Sequence, residues 1–238
     1  MSAEAELAGR VALIVGATGA VGRAAAARLA GAGAALMLAD DKGAAGLEAL
    51  ARGLGAQFHG FDPLAESDWA VLTEAVLRGF GRLDILVNAL GGEVVKPIDA
   101  LDLAEFRALH RRVLHPAFLG VRFGAEAIRR GGEGGSIINV SSIVAKISGP
   151  GLSALSSIHG GLRMLTKAAA LELGPEHIRV NALQLGPQSE AVADALGRSP
   201  GLATAAAAAD SILFLASDRA RFMTGAELVA DGGILAGG

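Results

Sequence analysis

Short aliphatic runs alternate with longer segments of helical period from one end of the chain to the other. Residues 11–15, 34–39, 57–61 and 84–87 read as the first four strands, and 136–140, 178–183 and 227–229 as three more. Most of these runs are continuously apolar instead of alternating, which marks parallel strands covered on both faces. Between them the pattern predicts helices over 20–32, 44–53, 66–79, 103–130, 152–173 and 203–215, with a short helical stretch at 191–196. Pro116 lies inside the fourth of these, where it removes an N–H and is expected to kink or break the helix. Regular alternation of this kind predicts right-handed crossovers. The fold class is α/β: a single doubly wound Rossmann-type domain over 1–238, with a seven-stranded, mainly parallel sheet and helices on both faces.

In such a sheet, ligands bind outside the carboxyl ends of the strands, where the strand order reverses. The turn after the first strand reads Gly16-Ala17-Thr18-Gly19-Ala20-Val21-Gly22. Gly16 permits a tight turn, Gly19 close approach of a ligand to the backbone, and Gly22 packing of the helix on the strand. The following helix offers free amides and the positive end of its dipole to phosphates, which places Thr18 and Val21 at the ligand as well. Asp40 follows at about the spacing at which a carboxylate accepts from a ribose hydroxyl. Together with Asp41, and with no Arg beside it, it favours NAD over the 2′-phosphorylated NADP. A purely structural glycine turn, and an Asp40 that caps the next helix, are the plainer readings.

Composition narrows the rest. Of 238 residues 52% are apolar, enough for one large core, and the formal net charge of −3 comes with scattered basic residues. A nucleic-acid surface would need those residues concentrated on one face. The longest uncharged apolar run, 29–39, is about half of what a bilayer crossing requires. Residues 1–10 carry Glu4 and Glu6 and lack the pattern of a secretory leader, so a cytoplasmic location is expected. No Cys is present, which excludes disulfides and thiolate metal sites. There is no Tyr either.

With these residues in hand, the chain resembles the short-chain dehydrogenase/reductase family over nearly its whole length. The glycine turn is the first match, although the family's usual spacing would put Gly at Ala20. Asp62-Pro63 stands where the family has Asp-Val at the adenine, and Asn88-Ala89-Leu90-Gly91 where it has Asn-Asn-Ala-Gly. Gly135 to Ser142 matches the strand that ends at the catalytic Ser. Leu165-Thr166-Lys167, Leu171-Glu172-Leu173 and Ile178-Arg179-Val180-Asn181-Ala182 match the long helix and sixth strand. Phe214 to Asp218, Thr224-Gly225 and Asp231-Gly232-Gly233 match the C-terminal signature. The resemblance implies dinucleotide contacts at Asp62, Pro63, Asn88, Ala89 and Gly186.

The chemistry departs from that pattern. Family members carry a Tyr thirteen residues beyond the Ser and a Lys four further on; here those positions are Leu155 and His159. The family's Asn in the preceding helix falls at Val113, so only Ser142 remains. The family's Tyr moves the proton at the carbonyl oxygen, and the neighbouring ammonium brings its pKa down from about 10. Leu155 has no proton to give, and losing a positioned general acid costs on the order of 10²–10⁴ in rate. His159 can be read as a new acid or base sharing a proton with Ser142, as a ribose contact, or as packing. His59, His110, His115 and His177 lack metal-ligand spacing and read as surface or core-edge residues. After Leu185-Gly186-Pro187 the mobile lid expected from the family is short by about fifteen residues.

The reading that results is an NAD(H)-binding family member without the Tyr/Lys-dependent hydride transfer, acting as a non-catalytic subunit. An oxidoreductase of unknown alcohol or ketone that uses Ser142, His159 or water as proton source, and a lyase or isomerase reusing the pocket, are the alternatives. Family resemblance implies a homo-oligomer, or a hetero-oligomer with an active paralogue, through the long helices and the C-terminal strand.

Overall fold

Seven strands form one sheet: β1 (Val11–Val15), β2 (Ala35–Asp41), β3 (Gln57–Phe61), β4 (Ile85–Asn88), β5 (Gly135–Ser142), β6 (Ile178–Leu185) and β7 (Glu227–Ala230). Their order is β3-β2-β1-β4-β5-β6-β7, and every neighbouring pair is parallel. These elements come from a computed structural model that describes residues 6–197 and 201–237. Residues 1–5, the first half of the stretch read above for a leader, lie outside the described residues. Because β1 pairs with β2 on one side and β4 on the other, the order reverses beside β1, directly under the glycine turn.

Two apolar layers sandwich the sheet. On one face α1 (Ala20–Gly31) and α8 (Ala205–Ala216) pack together over Ala12, Ile14, Ile138, Val140, Leu183 and Leu185. On the other, α3 (Glu66–Phe80), α5 (Leu114–Gly131) and α6 (Ser153–Leu173) cover Leu13, Val15, Leu86, Ile137 and Val180. Helical spacing explains the burial: Trp69, Leu72, Thr73 and Val76 fall three or four apart and form the inward face of α3. Strand alternation explains the rest. In β5, Ser136 bonds Leu215 O of α8, while Asn139 and Ser141 on the opposite face bond Thr166 and His159 of α6.

The helix expected over 103–130 is two helices, α4 (Leu103–Arg112) and α5, meeting at Val113 with φ −121° and ψ −67°. Pro116 therefore sits in the first turn of α5, where a missing N–H costs nothing. A capping box between Asp102 and Glu105 starts α4. The second helix, α2 (Leu47–Leu54), begins later than the pattern suggests, because Gly43 and Gly46 hold left-handed turns at φ 83° and 82°. The short helical stretch expected after β6 forms α7 (Glu190–Leu196), capped by Ser189. Among the described residues, no helix is long and apolar enough to cross a membrane.

Three cations converge on one carboxylate and fix α6 against the sheet edge. Arg163 and Lys167 of α6 bond Glu227 Oε1 of β7 at 2.8 and 2.7 Å, and Lys146 Nζ lies 2.8 Å from Oε2 as an ion pair. Burial by itself would raise the Glu227 carboxyl; the three cations outweigh it and carry it down from 4.5 to about 2. A carboxyl depressed in the fold stabilises fully above the unfolded value, and that contribution is lost as pH falls toward about 2. Glu227→Gln is therefore expected to be less stable than wild type at neutral pH. Urea melts at several pH values should show the two proteins converging only in strong acid.

Candidate nucleotide-binding site

At the carboxyl ends of β1, β2 and β4 lies a cleft of about 820 Å³. It gathers most residues that the sequence singled out: Gly16, Thr18, Gly19, Val21, Asp40, Asp41, Asp62, Pro63 and Ala89 all line it. The glycines are required by contact. Gly16 has φ 76°, and a Cβ there would stand 2.4 Å from Ala89 O; one on Gly22 would stand 2.1 Å from Gly16 O. Gly22 thus lies beneath the turn and acts by letting α1 close on it. The first helical bond of α1 runs from Arg23 N to Gly19 O at 2.9 Å, so the amides of Ala20, Val21 and Gly22 ahead of it have no intrahelical acceptor. No side chain caps them. This cradle fits a pyrophosphate, with the helix dipole adding to the amides.

Beside the glycine turn the cleft carries carboxylates at the ends of β2 and β3. Asp40 Oδ2 accepts from both the amide and the hydroxyl of Thr18 at 2.7 Å, and Oδ1 accepts from Asp41 N at 2.9 Å. Asp40 therefore ties the glycine turn to β2 and does not cap a helix. One lone pair on Oδ1 remains for a ribose hydroxyl. Asp41 is held above its ordinary value, first by lost hydration and then by Asp40 and Asp62, while Arg112 pulls it down. Arg107, Arg111 and Arg112 of α4 line the same cleft; the sequence reading did not place them there. Behind the floor, Asn88 is buried and donates to Asn139 Oδ1 at 2.8 Å. Gly186 does not line the cleft either; its α-carbon faces the backbone of Asp231, 3.0 Å from where a Cβ would sit.

The proton-transfer positions lie outside the lining of this cleft. Ser142, Leu155 and His159 do not line the cleft, which ends at Val140 and Gln188. Leu155 is 4% exposed and Val113 fully buried. They share one apolar cluster with Val144, Leu152, Leu162 and Val192. Val192 of α7, with Ala195 and Leu196, completes this plug. A Cβ on Gly149 would stand 1.9 Å from Ala195 O, so α7 lies tightly on the loop before α6, and Ser189 Oγ at its start donates to Glu93 of the loop after β4 at 2.5 Å.

His159 and Ser142 are not brought together. Residues adjacent on a strand point to opposite faces, and it is Ser141 whose hydroxyl lies 3.2 Å from His159 Nδ1. Half-buried Ser142 accepts from Val144 N at 3.3 Å, the start of a short helical turn. Burial lowers His159 from 6.5 to about 4, so its imidazole is neutral at pH 7 and carries no fixed charge. Gln184, opposite Ser141 in the β5–β6 register, is fully buried with both amide atoms unpaired. Neither Ser141 nor Gln184 was singled out by the sequence, although the alternation of β5 and β6 contains the signal. Among the described residues, no group of three or more His, Asp or Glu could hold a metal ion.

A family model described as enoyl-(acyl carrier protein) reductase matches residues 16–235. The chain belongs to the short-chain dehydrogenase/reductase family. Cyclopentanol dehydrogenase of Comamonas testosteroni is 33% identical over 247 residues, which cover 95% of this chain and 97% of the relative. Trans-4-hydroxycyclohexanecarboxylate dehydrogenase of Sinomonas cyclohexanicum is 36% identical over 248 residues, covering 96% and 93%. The 3-alpha-(or 20-beta)-hydroxysteroid dehydrogenase of Mycobacterium tuberculosis is 32% identical over 249 residues, covering 97% and 91%. All three relatives carry the name dehydrogenase. Family membership thus rests on similarity over nearly the whole chain.

Proposed function

We propose that this member of the family binds NAD(H), in preference to NADP(H), without transferring hydride. One observation carries the reading: the glycine cradle is complete, while the Leu155 and Val113 positions are packed into an apolar plug away from the cleft. NAD(H) when bound would supply a hydride donor or acceptor at its nicotinamide. Gly16 to Gly22 would hold the pyrophosphate, and the open lone pair of Asp40 a ribose hydroxyl. Nothing at the plug can then give or take the matching proton. Ser142 is held by its own backbone, His159 is neutral and turned to Ser141, and Leu155 has no ionisable group. The relatives named as dehydrogenases favour the alternative of a working oxidoreductase, and that alternative needs a proton source in the cleft. A non-catalytic subunit of a larger assembly is the role this chemistry suits.

Trp69 offers the assay. It is fully buried, stacks edge-on with Phe61 at 5.0 Å and donates to Pro63 O at 2.9 Å. Phe61 and Pro63 both line the cleft. NADH is expected to change the emission of this single Trp saturably, with NADPH weaker by about tenfold, the carboxylates of Asp40 and Asp41 opposing a 2′-phosphate more than Arg112 offsets. No response to NADH at millimolar concentration, with calorimetry also silent, would overturn the reading.

A further inference from the structure

The face of α4 that lines the cleft runs Ala104, Arg107, Ala108, Arg111, Arg112, a stripe at helical spacing. Among the described residues, thirteen other cations are paired with carboxylates, for example Arg28 with Asp210 and Arg122 with Glu66. Among the described residues, Arg107, Arg111 and Arg112 have no carboxylate within ion-pair distance, and all three are exposed and line the cleft. Alanines between them leave gaps in which a flat ring can lie against a guanidinium plane. Opposite stand the free amides of α1. The cleft thus offers anion donors from two helices, and they converge on its adenosine half.

Its other half offers little. The cleft reaches Val140 and Gln188 and stops before the plug of Leu155, Val113 and Val192. Recognition and chemistry are therefore separated: the charged groups line the cleft, and the apolar cluster of Leu155, Val113 and Val192 lies outside its lining.

From this asymmetry we infer that the cleft is a receptor for the adenosine 5′-diphosphate unit itself, with Arg107, Arg111 and Arg112 as its anion clamp and the nicotinamide nucleotide adding little. The inference rests on the cleft being a nucleotide site, as proposed above, and goes further in naming the part of the ligand that is read. ADP, ADP-ribose and NAD are then ligands of one class. Guanidinium groups can also pair with a phosphate through two parallel bonds, which a lysine cannot do.

Calorimetry on the full chain with ADP, ADP-ribose, NAD, NADH and nicotinamide mononucleotide tests this, with Trp69 emission as a second readout. ADP-ribose and ADP are expected to bind within about threefold of NAD, and nicotinamide mononucleotide not to compete, because binding energy follows the groups that make contacts. Arg111→Ala/Arg112→Ala should weaken all three adenine ligands by about tenfold or more and flatten their dependence on salt. The replaced side chains are exposed, so an unchanged thermal melt confirms an intact fold. NAD binding more than about tenfold tighter than ADP-ribose, or an arginine variant of unchanged affinity, would overturn the inference and leave NAD(H) binding standing. Binding of ADP with none of NAD or NADH would do the reverse, and binding of no adenine ligand would remove both.

Discussion

Gly22→Val is expected to abolish nucleotide binding and to cost the fold about 3 kcal/mol or more, at the upper end of overpacking. The added Cβ would stand 2.1 Å from Gly16 O and 2.9 Å from both Gly16 C and Ala17 Cα. All three are backbone atoms, so relief requires α1 to lift from the turn. Lifting it turns the amides of Ala20 and Val21 away from the cleft and breaks the link from Thr18 to Asp40. Binding of NADH should fall by at least about a hundredfold. Gly31 provides the control. It ends the same helix, a Cβ there meets nothing within 4 Å, and Gly31→Ala is expected to gain up to about 1 kcal/mol through helix propensity. Retention of wild-type NADH affinity by Gly22→Val would show that the glycine turn is not the phosphate cradle.

The second large effect concerns His159. Its imidazole is lowered by burial from 6.5 to about 4, so between these values the unfolded chain takes up a proton that the folded chain refuses. Stability therefore falls as pH drops from 6.5 toward 4, by about 1.4 kcal/mol per pH unit and about 3 kcal/mol in all. His159→Gln keeps a polar group beside Ser141 and removes the titration. Its stability curve should be flatter than that of wild type by this amount in urea melts between pH 7 and pH 4. Parallel curves, or an imidazole resonance titrating near its ordinary value, would contradict the burial assigned to it. This prediction bears on function, because a family lysine at that position supplies a permanent charge and a neutral imidazole does not.

The sheet was legible because its signal is local. Continuous aliphatic runs mark buried parallel strands, and Gly16 and Gly22 are forced by backbone contacts that only a residue without Cβ can make, whereas a Cβ on Gly19 would stand 3.4 Å from Gly16 O. The break at Val113 was legible too, since Pro116 is tolerated only in a first turn. What could not be read depends on how elements meet. That His159 faces Ser141 follows from the face of β5 on which α6 lies. Asp40 looks like a ribose acceptor in sequence, yet two of its bonds go to Thr18, across the turn. The arginines of α4 carry a helical stripe, but nothing in the stripe tells whether it faces solvent or a cleft. The plug is the least local feature: Val113 comes from the junction of α4 and α5, Leu155 from α6 and Val192 from α7.

The separation of binding from chemistry is tested most directly by a single-turnover experiment. The protein in excess over NADH is mixed with ketones and aldehydes, cyclic ketones among them, while nicotinamide absorbance and Trp69 emission are followed together. The account predicts full occupancy by Trp69 and no loss of reduced nicotinamide beyond the protein-free control. Loss of that absorbance with formation of the alcohol, abolished by His159→Ala, would contradict it.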